Sequence, residues 1–265
     1  WRHTRHGDKY VTVIIDLTPT RTRTGPSRLL AVVEGRSKQA FKSWLEAQTK
    51  AFRDRVEVVA MDGFTGYKTA AVEAIDTVVT VMDPFHVVAL VGDKLDRCRQ
   101  RVQQETLGHR GRSGDPLYGI RRVARTRAGL LTEKQQHRLS KVFTDDRHVA
   151  FEVTWSVYQN VIDSYQAEQP AEGKKIMTRL ISSLQSGVPT GLDELRSLGQ
   201  TMKRRRDDIL AFFDHPGTSN GPTEAVNGLL EHLRGTARGF RSIVNYVARC
   251  LLDAGGFRPL IHSLL

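Results

Sequence analysis

Residues 56–86 read VEVVAMDGFTGYKTAAVEAIDTVVTVMDPFH. The runs at 56–61 and 77–82 are β-branched, apolar and short, so each predicts a strand, and the segment between them, 65–75, predicts a short helix. Each strand ends in a carboxylate. Asp62 is followed by Gly63, which lets the backbone turn sharply, and Asp83 repeats the arrangement one strand later. Ligands of α/β sheets bind beyond the carboxyl ends of the strands, so two neighbouring strands are expected to deliver carboxylates to one edge. The structural alternative for Asp62 is a cap on the helix that begins near Thr65.

Upstream of this unit, 9–17 (KYVTVIIDL) and 28–34 (RLLAVVE) predict an antiparallel pair joined by a long Thr-, Arg-, Gly- and Pro-containing loop. Residues 37–52 carry Ala40, Phe41, Trp44, Leu45 and Phe52 at helical spacing, with Ser37 as N-cap. The order is β, β, α, β, α, β. Downstream, 87–214 reads as long helical segments, with 149–153 ambiguous between strand and helix. Pro216 and Gly217 break the pattern, and two further helices follow. The expected organisation is an α/β core begun by residues 1–92, a helical insertion over 93–215, and C-terminal helices over 216–265 that complete the core.

The chain has 265 residues, 39% hydrophobic and 26% charged, an ordinary globular balance. Its apolar runs are far below the ~20 residues of a transmembrane helix. With no secretory leader recognised and only Cys98 and Cys250 as cysteines, too few for a zinc ribbon or a disulfide framework, the expectation is a cytoplasmic protein. The formal net charge is +11, and 29 of the 40 basic residues are arginine, the side chain whose planar fork suits phosphate. A polyanion partner follows, with an arginine-biased composition as the bland alternative. Nine arginines lie between Arg97 and Arg127, including Arg121, Arg122 and Arg125, and Lys203, Arg204, Arg205 and Arg206 form a second run. These are expected to contact DNA phosphates; the alternative is a solvated face.

A third polar element, 218–227 (TSNGPTEAVN), opens a helix on whose face Glu224 lies with Asn227 or Gly228 and Glu231. Taken alone, Glu224 is explained by the preference for acids at a helix N-terminus. Combined with strand-end aspartates and a basic chain, it fits metal-dependent phosphoryl transfer on DNA, in which carboxylates hold two Mg²⁺ ions about 3.5–4 Å apart. His86 is more readily read as a packed histidine than as a ligand of hard Mg²⁺, and Trp155 as core.

These segments resemble the DDE transposases of bacterial insertion sequences, in the branch called the ISL-three family, and more distantly the Mutator-type transposases. The likeness is carried by 10–17, 35–37 (GRS), 58–67 (VVAMDGFTGY), 82–88 (MDPFHVV), 219–227 (SNGPTEAVN) and 239–241 (GFR). It implies a ribonuclease H-like core interrupted by a helical insertion, three acids holding two Mg²⁺ ions for which Mn²⁺ substitutes, and strand cleavage followed by strand transfer at the element ends. Carried over, the second acid falls on Asp62 and the glutamate on Glu224, while Asp83 and His86 match a motif beside the site. The first acid is expected on a strand upstream of Trp1, with Asp16 as the alternative. The resemblance further implies double-stranded DNA, both element ends and target, as partner, homo-oligomers on DNA, a nucleoid-associated location and no membrane. An N-terminal zinc-binding and helix-turn-helix region, also implied, is not contained in these residues, so the fragment as written is expected to have weak or no activity. The rival readings are a ribonuclease H-like nuclease or resolvase, which cuts without joining, and an inactive DNA-binding remnant.

Overall fold

The structure, a computed structural model, describes residues 10–257. In chain order the elements are β1 (Val11–Asp16), α1 (Thr18–Arg21), β2 (Arg28–Glu34), α2 (Lys38–Glu46), α3 (Lys50–Arg53), β3 (Val58–Met61), α4 (Thr65–Ala74) and β4 (Val79–Met82). Then come α5 (Pro84–Leu107), α6 (Arg121–Arg125), α7 (Glu133–Phe143), α8 (Val149–Gln166), α9 (Pro170–Gln185), α10 (Asp193–Arg204), α11 (Arg206–Asp214), α12 (Gly221–Thr236) and α13 (Ile243–Ala254). They divide into two compact units. The first joins the residues up to Asp83 with those from Gly217 onward, and the second is Pro84–Pro216. The helical unit therefore begins at Pro84 where the sequence sets the boundary at residue 93, because α5 is one continuous helix whose Val87, Val91 and Leu95 are buried from its first turns.

In the first unit β1 and β2 pair antiparallel, with Val13 opposite Val32 and Ile15 opposite Leu29. The register slips between Ile14 and Ile15, leaving Leu30 opposite no partner. This bulge lets Leu29 and Val32, three residues apart, face the same side. That side, with Val11, Val13 and Ile15, packs on Val226 and Leu230 of α12 and Tyr246 and Cys250 of α13. On the opposite face Ile14 packs with Phe41 and Leu45 of α2, Ala70 and Ala71 of α4, and Ile75. Thr12, on this second face, donates to the Gly35 carbonyl at 2.7 Å and lies 3.1 Å from the Tyr67 hydroxyl.

β3 and β4 pair in parallel, Val58 opposite Val79 through Met61 opposite Met82, with α4 as the crossover. The mixed α/β class is as the sequence implies. Among the described residues, however, the strands form two separate two-stranded sheets and not one continuous sheet. The helix read over 37–52 is two helices. Ser37 caps α2 by accepting from the Ala40 N–H at 3.1 Å, and Thr49 caps α3 by accepting from Phe52 at 3.2 Å. The carbonyls released at the break are collected by Arg53, whose Nη1 donates to Glu46 and Gln48 at 3.1 and 2.7 Å. The chain can break there because a threonine competes well for an N-cap position.

In the helical unit α5 packs on α8, α8 on α9, and α9 on α10 and α11. Residues 149–153 are helical, since Phe151, Thr154, Tyr158 and Val161 recur at helical spacing and are all buried. Gly173 of α9 and Gly199 of α10 permit close helix contacts: a Cβ at Gly199 would lie 2.6 Å from the Leu184 carbonyl oxygen, and one at Gly173 would collide with that of Ser164. Burial pushes the Cys98 thiol up to about 11, so it behaves as a small core residue and not as a nucleophile. No helix among the described residues is long and apolar enough to cross a membrane.

Leu230 is fully buried between the hairpin and α13. Replacing Leu230 with Ala is expected to destabilise the protein by about 2–5 kcal/mol, through reduced burial and the residual cavity, as read from the midpoint of denaturant unfolding.

Candidate active site

The parallel register sets the ends of β3 and β4 side by side, and the Asp83 N–H donates to the Met61 carbonyl at 3.1 Å. Asp62 is the next residue after Met61. Its Oδ1 accepts the Phe64 N–H at 2.8 Å, an Asx turn just before α4; the N-cap position itself falls on Phe64 and has no side-chain cap, so Asp62 does not cap this helix as the sequence allowed. Oδ2 instead receives Arg36 Nη2 at 3.2 Å. Arg36 reaches it because Gly35, at φ 92°, turns the chain at the end of β2. The guanidinium also lies 5.9 Å from the centre of the Phe64 ring, which rests edge-on against Tyr67 at 5.0 Å. Asp62 thus keeps a partly exposed carboxylate, 24% accessible, with a cation beside it.

Asp83 is only 2% exposed, and its Oδ1 accepts the Asn220 N–H at 2.8 Å. Asn220 occupies the N-cap position of α12 without capping it through its own side chain. The Asn220 carbonyl accepts the Glu224 N–H at 2.9 Å. Glu224 itself is exposed in the first turn, where the helix dipole favours an acid, and its carboxylate makes no hydrogen bond or ion pair among the described residues.

Asp62, Asp83 and Glu224 therefore belong to one hydrogen-bonded framework but do not form a ready metal cage. Among the described residues no group of three or more His, Cys, Asp or Glu side chains is placed to hold a metal ion. Asp62 has both oxygens engaged and Asp83 has one committed to Asn220, so these acids do not by themselves fit a two-metal centre. Asp16 closes a different turn. Its Oδ1 accepts the Thr18 N–H at 2.9 Å and its Oδ2 takes Arg28 Nε and Nη2 at 3.0 and 2.9 Å. Burial pushes its carboxyl up, but the hydrogen bonds from Thr18 and Arg28 outweigh this and hold it below the usual range. His86 lies in the first turn of α5, in the helical unit, with its ring 5.6 Å from that of Phe85.

The basic residues divide by environment. Arg121 Nε lies 3.2 Å from Asp96 and Arg125 Nη2 lies 2.6 Å from Asp93, whereas Arg122 is exposed without an ion pair among the described residues. Lys203, Arg204 and Arg206 are likewise exposed and unpaired there. Arg205 is not part of that surface: it is 7% exposed and ion-paired to Asp208 at 2.8 Å. The spacing Met202, Arg205, Ile209, all buried, shows the reason, since helical period carries Arg205 to the inner face while its neighbours point out. Arg36 is the residue that reading for acids overlooked, although it lies in the segment 35–37 (GRS) directly after the glycine that turns the chain.

The Asp16–Arg28 pair, 17% and 55% exposed, stabilises the hairpin end. Because the folded carboxyl is held low, this stabilisation is present above the ordinary value of 3.8 and is lost as pH falls through the lowered folded value. Asp16→Asn is expected to cost about 1 kcal/mol near neutral pH and progressively less below the ordinary value, in urea unfolding measured across pH.

A sequence-family model described as a transposase, of the DDE ISL3 type, matches residues 2–250. The chain is also 25% identical over 274 aligned positions to the transposase for insertion sequence element IS1557 of Mycobacterium tuberculosis, in both the CDC 1551 / Oshkosh and H37Rv strains. These alignments cover 96% of this chain and 58% of the relatives, so the chain spans little more than half of their length. No solved structure matches it significantly.

Proposed function

The chain belongs to the ISL3 family of DDE transposases, and we propose that it supplies catalytic acids for cleaving the ends of an insertion sequence and joining them to target DNA. The observation that carries this reading is the string of hydrogen bonds from Met61, beside Asp62, through Asp83 and Asn220 to Glu224. It ties two acids distant in sequence into one folded unit. In this reading Asp62 and Glu224 are the second and third acids, and the two small sheets with α2 and α4 are portions of a ribonuclease H-like core.

DDE transposases depend on divalent metal. Two Mg²⁺ ions, replaceable by Mn²⁺, are the form proposed here, and they need at least one acid beyond Asp62 and Glu224 because no three-ligand group lies among the described residues. The metals would neutralise charge developing on the phosphoryl group. Asp62 and Glu224 would supply carboxylate oxygens to these metals, and Arg36 is the cation that stands beside Asp62 in the structure.

The proposed partner is double-stranded DNA, bound as element ends and target by a homo-oligomer in the cytoplasm, at the nucleoid. The charge of +11 and the exposed, unpaired Arg122, Lys203, Arg204 and Arg206 support phosphate contact. As the chain spans 58% of its relatives' length, tests of activity belong in a full-length version.

In such a protein Asp62→Ala and Glu224→Ala are each expected to abolish cleavage and joining while leaving DNA affinity within about threefold, because phosphate contacts supply most of the affinity. Strand transfer by either variant would overturn the assignment, and a wild type that cuts without joining would identify a nuclease. Changing Arg122, Arg204 and Arg206 together to Gln should weaken binding to all sequences alike and flatten the log–log salt dependence by about 0.9 for each phosphate no longer neutralised. A solvated face would leave both quantities unaltered.

A further inference from the structure

Asp83 stands at a strand end next to that of Asp62 and is not one of the two acids assigned to the chemistry. Three hydrogen bonds connect it to both acids. Its N–H donates to the Met61 carbonyl at 3.1 Å, immediately before Asp62. Its Oδ1 accepts the Asn220 N–H at 2.8 Å, across 137 residues of sequence. Asn220 passes the connection on, since its carbonyl accepts the Glu224 N–H at 2.9 Å. Nearby, Ser219 Oγ accepts the Gly221 N–H at 3.4 Å and Thr218 is buried, but neither ties this turn to β4. Gly221 and Glu224 are exposed, the first buried side chain is Val226, and Asn220 offers no side-chain cap. An N-terminal turn with unmet N–H groups takes an acceptor from wherever the fold supplies one, and a carboxylate is favoured there by the helix dipole.

We infer that Asp83 is a positioning residue that sets the separation of Asp62 and Glu224 by fixing the first turn of α12 to the end of β4. The inference rests on the reading of Asp62 and Glu224 as acids of the reaction. Asp83 acts through its acceptor oxygen and not through metal ligation: the carboxylate is 2% exposed and Oδ1 is already given to a backbone donor. What the position requires is an oxygen acceptor of this reach, which asparagine retains and alanine lacks.

The test compares Asp83→Ala, Asp83→Asn and Asp62→Asn in the full-length protein. It measures strand-transfer turnover, DNA affinity, and hydrogen exchange of the Asn220 amide by mass spectrometry of peptides spanning 218–224. Asp83→Ala is expected to lower turnover by about 10²-fold, the scale of a roughly 1 Å misplacement, with DNA affinity within about threefold and Asn220 exchange accelerated by about tenfold or more. Asp83→Asn is expected to recover turnover to within about tenfold of the wild type and to restore Asn220 protection, while Asp62→Asn stays inactive. An Asp83→Asn protein as inactive as Asp62→Asn would show that the charge itself is required and would overturn the inference, as would wild-type turnover in Asp83→Ala. Should Asp83→Ala fail to fold, the contrast between the two asparagine variants decides alone. Activity in Asp62→Asn would remove the underlying reading instead, and Asn220 exchange would still report whether Asp83 holds α12.

Discussion

Burial of both faces of the β1–β2 hairpin is the constraint on which the first unit depends. One face needs α2 and α4, which follow directly in sequence. The other, with Leu29, Val32, Val13 and Ile15, needs Leu230 and Tyr246, which the chain supplies only after the whole of Pro84–Pro216. A two-stranded ribbon with one apolar face in water is marginal, so this core is complete only when the late helices have returned. The entropic cost of so large an excursion is modest, because loop-closure cost grows only logarithmically with length and the inserted segment has a core of its own. The same return brings Glu224 into the unit that holds Asp62.

Three aspartates of this unit each take a donor from a different element. Asp16 takes Arg28 across the hairpin, Asp62 takes Arg36 from the turn after β2, and Asp83 takes a backbone N–H at the start of α12. The degree of burial sorts their roles. Asp83, nearly inaccessible, is bound to backbone; Asp62, a quarter exposed, keeps an oxygen facing the Arg36 guanidinium; Glu224 stands open. In the helical unit, pairing with Asp93, Asp96 and Asp208 consumes part of the arginine excess, while Arg122, Lys203, Arg204 and Arg206 stay exposed.

The strand–helix–strand unit over 56–86 was legible because alternation between short β-branched runs and a helical segment is a local property. The carboxylates at the strand ends were legible for the same reason. The break in 37–52 was not, since Ala40 to Phe52 keeps a helical spacing across Thr49, and the split follows from Arg53 gathering the carbonyls of Glu46 and Gln48. The segment 149–153 is short enough to satisfy either period, and it became helix through the buried positions that follow it in α8. Arg205 shows the limit of reading charge runs: four consecutive cations look alike in sequence, while the helical phase of the surrounding core turns one of them inward.

Local pattern was thus enough for the mixed α/β class, the long helical stretch and the strongly basic character, because each depends on neighbours within a few residues or on composition alone; Glu224 stood out only when segments far apart in sequence were taken together. Which acids share a framework was settled by contacts across long separations. Asp83 meets Asn220 over 137 residues, and Arg36 meets Asp62 over 26. Neither pairing has a sequence signature, because a hydrogen bond between distant elements is specified by how their apolar faces pack and not by the polar residues that end up in contact.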